Sequence, residues 1–516
     1  MSFKEFSSRQ VKFFFAGFFA VNLFLSTYFI DAWLTPNAAS RAIPVLTLYE
    51  SKSLVIDKYQ NFTGDKAFIN DHYYTDKAPL STFLVYPFYS LYKAISTTPD
   101  SVDRINKYPI YIWEAVGTKD GRAFLFPKVN VPLVLGSFLC GSLPFALLVT
   151  ILFYFTYRHQ GSISSVALVM LAAYGTFLFG LSGVYFGHLL SGLFLLATYI
   201  FIKHDKNYFW AGLFVGLAFL TEYTTAIAGP IWLFLIFYNR RDFKKAILFC
   251  AGTVPALLFI LYYNQITTGN KFDLLYNHAA LAAFSEMKSQ LGFRMPKLEA
   301  LWGLLFSSYR GLFFYAPVLL LMTYYFVTQV FEYKWKCLTN NYLLLFALIY
   351  LLVNASYYMW WGGWSFGPRH LVPVAMLLLF EGIILLSEIK FSNIIFYILS
   401  FSGILLAWGG KATRIYMMPD DASRFSNPLT SLILPDFSQH KFNANSLPTI
   451  WFDFSPQTSV YLWPVLFALS VILMDKWYQN LILEKAIEIK PLIIKSSVKK
   501  TFNPNRSNEA GQKRKK

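Results

Sequence analysis

Charged residues are scarce in this sequence, and their scarcity argues against a soluble protein. Only 14% of the 516 residues are Asp, Glu, Lys or Arg, whereas soluble globular proteins contain about 25%. A charged side chain is expensive to place in hydrocarbon, so a shortage of charge is typical of membrane proteins. Apolar runs near the ~20 residues that an α-helix needs to cross a bilayer recur along the whole chain.

Cysteine is also scarce, which excludes the common cysteine-dependent sites. The three cysteines, Cys140, Cys250 and Cys337, lie far apart in sequence, in or beside apolar segments. They show neither metal-ligand spacing nor a disulfide framework, so we interpret them as packing residues. The sequence also lacks a P-loop, a CxxC pair, a G-x-S-x-G motif and a nucleic-acid-binding module. No cofactor or metal is expected, although scattered carboxylates leave a metal site open as an alternative.

Apolar, aromatic and basic residues are abundant instead. The chain is 56% hydrophobic and 19% aromatic, and its formal net charge is +17. In a membrane protein an excess of Lys and Arg is typical of cytoplasmic loops and of tails that rest on anionic lipid, so nucleic acid is not the expected partner. The first apolar run, residues 11–30, is too long and too aromatic for a signal peptide and lacks a small-residue cleavage site. It predicts a retained first span, with a signal peptide as the alternative.

Hydropathy predicts about twelve membrane-spanning helices, so the expected fold is an all-α polytopic membrane protein. The short pair on either side of Thr221 is the least distinct, and one broken helix is the alternative there. The predicted spans cover residues 11–30, 131–156, 163–182, 185–203, 208–221, 223–238, 245–263, 311–331, 341–357, 369–387, 393–409 and 457–474.

The basic clusters predict the orientation of these spans. Lys4, Arg9 and Lys12 precede the first span, and "YRHQ", "KHDK", "NRRDFKK" and "EYKWK" then fall at alternate connections. Because cytoplasmic loops carry the excess of Lys and Arg, both termini are predicted to be cytoplasmic. The long connections and the turn "YYMWWGGWSFGPRH" then lie outside. The long connections are residues 31–130, 264–310 and 410–456.

The first external loop carries most of the polar chemistry. Its segments "SRAIPVLTLYE" and "LSTFLVYPFYSLYKAI" are amphipathic and predict helices in the membrane interface; a re-entrant segment or a true span is the alternative for the second. Lysine suits phosphate as a compact point charge, and aspartate can deprotonate a hydroxyl, so a phospho-sugar donor would use both. The alternative is an ordinary solvated loop. The charged residues between the two segments are Asp57, Asp65, Lys66, Asp71, His72, Asp76 and Lys77.

Five blocks follow one another along the chain: "YYTDKAPLS", "YFGHLLSGLFLLATY", "AGLFVGLAFLTEYTTAI", "FSSYRGLFFYAPVLL" and "WWGGWSFGPRHLVP". In this order they resemble the multi-spanning GT-C glycosyltransferases, which use polyprenyl-phosphate sugars as donors. The similarity is to bacterial members of the protein-mannosyltransferase and lipid A aminoarabinose-transferase branch, and it covers roughly the first 390 residues. In that branch an acid–Lys–Pro or His–Pro–Pro element follows the first loop helix, and Asp76, Lys77 and Pro79 match the first form.

The resemblance implies an inverting transfer of a sugar from a polyprenyl-phosphate donor to an extracytoplasmic hydroxyl of a protein, lipid or glycan. It implies a GT-C-like catalytic region over residues 1–409, including the loop 31–130, followed by an external loop and last span over 410–474 and a basic cytoplasmic tail over 475–516. The implied location is the bacterial inner membrane. The alternatives are a transporter or lipid flippase, a surface-polysaccharide ligase or polymerase, and a non-catalytic relative.

One departure from the family pattern concerns the catalytic base. Relatives carry an Asp-Glu pair shortly after the first span, whereas this chain has Asn37 and Ala38 there. An amide does not accept the proton, so another acid is expected to act as the base. The candidate acids, in order, are Asp76, Asp65, Asp57, Asp31 and Glu222.

The remaining candidates are expected to bind the substrate or its phosphate. Arginine binds phosphate through two parallel hydrogen bonds, and aromatic side chains can stack on a sugar. The alternatives are ordinary ones: Glu222 as a structural hydrogen-bond partner, His188 as a packing residue, Arg310 and Arg369 as interfacial anchors, and the tryptophans near Trp364 as an aromatic belt. The candidates are Asn37, Arg41, Lys66, His72, Tyr74, Lys77, His188, Arg310, Trp364, Arg369 and His370.

Overall fold

The structure is a computed structural model of the chain. Asp31, Cys337, Lys4 and residues 487–516 of the basic tail lie outside the residues that it describes. The described residues are 9–30, 35–96, 104–105, 124–125, 127–158, 161–240, 242–281, 286, 292–332, 342–413 and 427–486.

The described chain is mostly helical. A π-turn, Phe138–Ser142, joins α4 to α5, and 3₁₀ turns at Tyr223–Ile227 and Arg369–Leu371 precede α10 and α16. The helices are α1 Arg9–Thr27, α2 Pro36–Ser51, α3 Leu80–Ile95, α4 Pro127–Ser137, α5 Leu143–Thr156, α6 Ser165–Tyr174, α7 Phe177–Leu181, α8 His188–Ile200, α9 Tyr208–Thr221, α10 Ala228–Arg240, α11 Phe243–Thr268, α12 Leu298–Leu305, α13 Leu312–Tyr315, α14 Val318–Glu332, α15 Tyr342–Ser356, α16 Val372–Glu388, α17 Asn393–Thr413, α18 Leu434–Ser438, α19 Leu447–Phe452 and α20 Pro456–Ala486.

The predicted class of polytopic helical membrane protein is confirmed. Among the described residues, six helical segments are long and apolar enough to cross a bilayer by length and composition. Shorter apolar helices occupy further predicted spans, including both members of the pair around Thr221, α9 and α10. The six long segments are Arg9–Thr27, Asn130–Thr156, Phe243–Thr268, Arg369–Glu388, Asn393–Thr413 and Pro456–Leu481.

The first loop contains a β-hairpin that the sequence does not predict. Strands β1, Lys66–Ile69, and β2, His72–Thr75, pair antiparallel, with Ile69 opposite His72. The two-residue turn is Asn70-Asp71, and both residues have positive φ, at 50° and 62°. Asn and Asp tolerate this left-handed conformation, which matches the twist of a tight hairpin. A second short pair joins β3, Arg104–Ile105, to β4, Phe124–Leu125.

The two segments predicted as interfacial helices are both helical, but the first is buried on every face instead of on one. All residues from 38 to 47 in α2 are buried, because this helix packs against α3, α4 and β2. Helix α2 begins with Pro36 at its first position. The Thr35 side chain caps this end by accepting a hydrogen bond from the Ala38 amide. Helix α3 buries one face, including Val85 and Tyr89, as its periodicity predicts.

Two glycines allow α9 and α11 to approach each other closely. A β-carbon on Gly212 would collide with the Phe249 carbonyl oxygen, and one on Gly252 would collide with the Phe209 carbonyl oxygen. Small residues permit such backbone approach between helices in membranes. The crossing fixes α9, and the residue directly after α9 is Glu222, so this contact sets the position of a candidate site residue.

Gly212→Ala and Gly252→Ala are each expected to destabilise the protein by about 1–3 kcal/mol, because the added methyl groups force the two backbones apart. Thermal unfolding in detergent measures the effect as a lower Tm. Gly229→Ala in α10 is the matched control, since nothing lies within 4 Å of the position that its methyl group would occupy. Unchanged Tm values for both crossing variants would contradict the close approach.

Candidate active site

A cavity of about 810 Å³ lies at one end of the helical bundle. Each element contributes from its terminus: Thr35 precedes α2, His188 begins α8, Glu222 follows α9, and Arg369 precedes α16. Lys77, between β2 and α3, completes this part of the wall. The cavity is therefore built from helix ends and connections.

The cavity brings together ten of the fifteen predicted site residues that the structure describes. They come from the first loop, two helix ends and the turn before α16, which are widely separated in sequence. The residues that line the cavity are Asn37, Arg41, Asp65, Asp76, Lys77, His188, Glu222, Trp364, Arg369 and His370. Asp57, Lys66, His72, Tyr74 and Arg310 do not line it.

Asp57 and His72 form a pair on the surface of the hairpin. His72 Nδ1 lies 2.8 Å from Asp57 Oδ2, and the two side chains are 52% and 43% exposed. The Tyr73 amide donates to the other Asp57 oxygen at 2.7 Å. These contacts hold β2 to the 3₁₀ turn Asp57–Phe62, which precedes β1. The structure therefore gives the pair a local role outside the cavity.

Lys66 and Tyr74 also turn away from the cavity. Lys66 Nζ donates to the Gln60 carbonyl at 2.9 Å and lies 4.7 Å from the centre of the Tyr73 ring. Tyr74 is buried in an apolar cluster that includes Leu220 and Tyr263. The hairpin pairs Lys66 with Thr75 and Tyr74 with Ala67, so the two side chains lie on opposite faces and are held by separate contacts.

Arg310 supports the cavity wall from behind. It is fully buried, and its guanidinium donates to three backbone carbonyls: Nε to Trp361 at 2.9 Å, Nη1 to Tyr309 at 2.9 Å and Nη2 to Gly363 at 2.7 Å. Gly362 and Gly363 have positive φ, which glycine adopts readily, and Arg310 hydrogen-bonds to the carbonyls of this turn. This buried position behind the wall differs from both sequence interpretations of Arg310, as a phosphate ligand and as an interfacial anchor.

Lys77 connects two acids of the first loop. Its Nζ lies 2.9 Å from Asp65 Oδ2 and 3.0 Å from Asp76 Oδ1. The Ser40 hydroxyl, which lies 2.7 Å from the Thr75 hydroxyl, donates to the Asp65 carbonyl at 2.5 Å. The motif "YYTDKAP" thus places its acid and its lysine in one hydrogen-bonded cluster with a second acid from the other side of the hairpin.

The two acids have opposite pKa shifts. Burial opposes the ionisation of Asp65, but the Lys77 ammonium, with more distant help from Arg369 and Arg41, holds the pKa of Asp65 below its ordinary value. Burial raises the pKa of Asp76, and the Asp65 charge raises it further against the effect of Lys77. Burial lowers the pKa of Lys77, but both acids outweigh it and raise that pKa. The site therefore favours ionisation at Asp65 and opposes it at Asp76, and both acids stabilise the Lys77 ammonium.

Exposure separates the two acids further. The Asp65 side chain is 12% exposed, whereas the Asp76 side chain is 0% exposed. Asp65 Oδ2 contacts Lys77, which leaves Oδ1 as the oxygen that can meet a molecule in the cavity. A proton acceptor has to come within hydrogen-bond reach of its substrate, so the geometry favours Asp65 over Asp76.

Arg41 forms the second charged pair. It is buried, and its Nη2 donates to Glu222 Oε1 at 2.5 Å. His188 Nδ1 lies 3.7 Å from the same Glu222 oxygen, which is too long for a hydrogen bond. Removal of one partner from a buried pair leaves the other charge uncompensated, at a cost of about 3–5 kcal/mol. Arg41 and Glu222 therefore join α2 to the end of α9.

Arg369 is a cation at the wall with no ion-pair partner among the described residues. Its guanidinium lies 5.1 Å from the centre of the Phe186 ring, and its Nε is buried without a hydrogen-bond partner. A buried donor without a partner is costly, which is the expected state of a group that binds a ligand. An anionic ligand in the cavity would satisfy it.

The sequence did not single out the aromatic residues that cover the cavity. Tyr276 and Tyr357 line it, and their hydroxyls hydrogen-bond to each other. Leu281 lies on the same connection as Tyr276, and the Ala280 amide donates to the Lys66 carbonyl at 2.8 Å, which ties this connection to β1. Tyr357 belongs to the turn "YYMWWGGWSFGPRH", but no pattern pointed to residues 274–281.

Metal ligands are not grouped in the described part of the chain. No three His, Cys, Asp or Glu side chains there have the arrangement of a metal site. The acids of the cavity are instead paired with Lys77 and Arg41.

A model of a protein family matches part of this chain. The family is described as dolichyl-phosphate-mannose-protein mannosyltransferase, and the match covers residues 122–263, just over a quarter of the chain. This segment runs from the end of the first loop through most of α11 and contains the cavity residues His188 and Glu222. Asp65, Lys77 and Arg369 lie outside it.

No curated protein matches the chain. The solved structure of the archaeal oligosaccharyltransferase AglB from Archaeoglobus fulgidus, in complex with an inhibitory peptide and a dolichol-phosphate, aligns with 81% of this chain and 57% of its own at 12% identity and a TM-score of 0.42. That score does not by itself establish a common fold. The family match, in a helical membrane protein, confirms the predicted resemblance to the GT-C superfamily of membrane glycosyltransferases over residues 122–263.

Proposed function

We propose that this protein transfers a sugar from a polyprenyl-phosphate donor to a hydroxyl of an extracytoplasmic acceptor, with inversion at the anomeric carbon. The observation that carries the proposal is the convergence of Asp65, Lys77 and Arg369 on one cavity. A proton acceptor and two cations are the groups that such a transfer uses. The proposed location is the bacterial inner membrane, with both termini cytoplasmic and the cavity outside.

The position of the cavity supports an enzyme over a transporter or flippase. Transporters bind their substrate near the middle of the membrane, between broken helices of repeated halves. Here the lining residues come from the ends of α8 and α9, from the first loop and from the turn before α16. A site at one end of the bundle suits a lipid-linked donor whose phosphate lies at the membrane surface. A ligase or polymerase of surface polysaccharide would share this arrangement and is the second candidate.

In the proposed reaction, Arg369 and Lys77 bind the donor phosphate. The acceptor oxygen attacks the anomeric carbon as the bond from that carbon to the phosphate oxygen breaks. Negative charge builds on the leaving phosphate, and preorganised cations stabilise it most in the transition state. Asp65 accepts the proton of the acceptor hydroxyl, so Asp65 becomes neutral and the polyprenyl phosphate leaves as an anion.

Asp76 has a supporting role in this proposal. Its side chain is 0% exposed, and its oxygens contact Lys77 and, at 3.5 Å, the Ser40 hydroxyl. Asp76 therefore positions Lys77 at the cavity wall, while the more exposed Asp65 meets the substrate. Asp57 is excluded from the catalytic step by its place on the hairpin surface.

The loss of the family's acid pair does not make the protein inactive in this proposal. Asn37 replaces the acid, but Asp65 supplies a carboxylate at the same cavity. The catalytic region proposed here is residues 1–409, with 410–474 and the basic tail 475–516 as the parts that follow it. Membrane lipids, the donor and the acceptor are the partners.

Asp65→Asn is expected to lower kcat by about 100- to 10,000-fold, because it removes the proton acceptor. Asp76→Asn is the matched variant and is expected to retain most of the activity, since the Asp76 side chain is 0% exposed and Asp65 remains as the proton acceptor. Transfer of radiolabelled sugar from polyprenyl-phosphate donors to purified acceptors measures both. Full activity of both variants would contradict the assignment of the base.

Arg369→Ala is expected to lower kcat/KM by about 10- to 100-fold, because it removes charge-assisted hydrogen bonds to the phosphate. Lys58→Ala is the control, since Lys58 is exposed and pairs with Glu50 at 2.8 Å away from the cavity. Steady-state kinetics with varied donor concentration separate the effects on kcat and KM. Equal losses in both variants would contradict a specific phosphate contact.

The rate is expected to fall in acid only as Asp65 becomes protonated, below the ordinary aspartate pKa of about 3.9. The stabilisation from ionised Asp65 has the same sign: it is complete above that value and is lost as pH falls through the lowered pKa. Lys77, with a raised pKa, stays charged below about 10.4. A pH–rate profile measures this window. An inflection near neutral pH that persists in Asp76→Asn would indicate a different base.

A further inference from the structure

Arg41 holds an amide and a carboxylate side by side at the cavity wall. Its Nη1 donates to Asn37 Oδ1, and also to the Asn37 carbonyl at 3.1 Å. Its Nη2 donates to Glu222 Oε1 at 2.5 Å. The two terminal nitrogens of one guanidinium are neighbours, so Asn37 and Glu222 are adjacent as well.

This contact fixes the orientation of the Asn37 amide. Arginine has only donors, so the atom that faces it has to be the amide oxygen. The amide NH₂ group consequently points away from Arg41. Asn37 is partly exposed and lines the cavity, and no described residue accepts a hydrogen bond from its Nδ2. The cavity wall thus presents a neutral hydrogen-bond donor at Asn37.

Glu222 presents the complementary acceptor. Arg41 occupies Oε1, and no described residue donates to Oε2, while the side chain is 12% exposed and lines the cavity. The backbone holds the residue firmly: the Glu222 carbonyl accepts from the Thr225 amide at 3.0 Å and from the Thr225 hydroxyl at 2.8 Å. Gly187 leaves room for the carboxylate, since a β-carbon there would lie 2.5 Å from Oε1.

The charge of this pair selects the kind of group that it binds. Arg41 neutralises Glu222, so the two exposed groups offer one donor and one acceptor with no excess positive charge. Such a pair suits neighbouring hydroxyls, each of which both donates and accepts, and it is less suited to phosphate, which prefers cations. In the proposed reaction the phosphate is bound instead by Lys77 and by Arg369, a cavity cation with no ion-pair partner among the described residues.

We propose that Asn37 and Glu222, oriented by Arg41, form a subsite that recognises two neighbouring hydroxyls of the transferred sugar. The inference rests on the proposed function and names the donor class: polyprenyl-phosphate sugars with adjacent free hydroxyls. Asn37 is then a specificity-determining residue, and Glu222 is assigned to sugar binding, with the proton acceptor left to Asp65.

Deoxy analogues of the donor test the subsite. The full-length protein is assayed with polyprenyl-phosphate glucose, mannose and galactose, and then with the monodeoxy analogues of the sugar that is transferred. Each monodeoxy analogue lacks one hydroxyl, and the two analogues whose missing hydroxyls are neighbours on the sugar are expected to lose at least about 100-fold in kcat/KM. The loss of either hydroxyl leaves a buried polar group of the subsite unpaired. Equal kcat/KM for all analogues would overturn the inference, whereas no transfer from any donor would overturn the proposed function and, with it, this inference.

Variants connect the discrimination to the two residues. Asn37→Asp keeps an oxygen for Arg41, replaces the NH₂ donor with an acceptor oxygen and adds a negative charge beside Glu222, so discrimination at one hydroxyl is expected to fall to less than about 10-fold. Gly187→Ala displaces the Glu222 carboxylate without removing a charge and is expected to weaken discrimination at the neighbouring hydroxyl. Asn393→Asp, whose amide oxygen accepts from Ser162, is the control outside the cavity. Unchanged analogue ratios in folded Asn37→Asp and Gly187→Ala proteins would contradict the assignment.

Discussion

The pairing of buried charges at one end of an apolar bundle is the constraint on which the rest of this structure depends. An isolated charge in such surroundings is expensive, so each acid or base has to lie beside a partner. Asp65 and Asp76 share Lys77, and Glu222 pairs with Arg41. These contacts join the first loop, α2 and α9, and the cavity lies between the joined elements.

The same constraint divides the cavity into regions of different chemistry. Lys77 and Arg41 each have an acid beside them, whereas Arg369 has no ion-pair partner among the described residues, so an anionic ligand has most to gain from meeting Arg369. The pKa of Asp65 is lowered by Lys77, and burial raises the pKa of Asp76. In the proposed reaction, phosphate binding, proton transfer and sugar recognition are assigned to separate groups on one wall, although these groups share partners and their contributions are not independent.

The sequence predicted the helices well, because the free energy of placing apolar side chains in lipid acts on composition alone. It also singled out "TDKAP", and the structure places Asp76 and Lys77 of this motif at the cavity. It did not predict which acid is exposed, because Asp65 and Asp76 differ only in how the hairpin and α2 cover them. Nor did it predict that three backbone carbonyls take the guanidinium of Arg310, because that depends on a turn between distant elements. Residue types were readable, whereas the partner of each residue required the fold.

The position of a bound donor phosphate tests this account most directly. Cryo-electron microscopy of the full-length protein in nanodiscs with a polyprenyl-phosphate would show it. The account predicts phosphate oxygens within hydrogen-bond distance of the Arg369 guanidinium and the Lys77 ammonium, with the lipid chain leaving the cavity toward the bilayer. A phosphate bound at the middle of the membrane, or at the surface pair of Asp57 and His72, would contradict it.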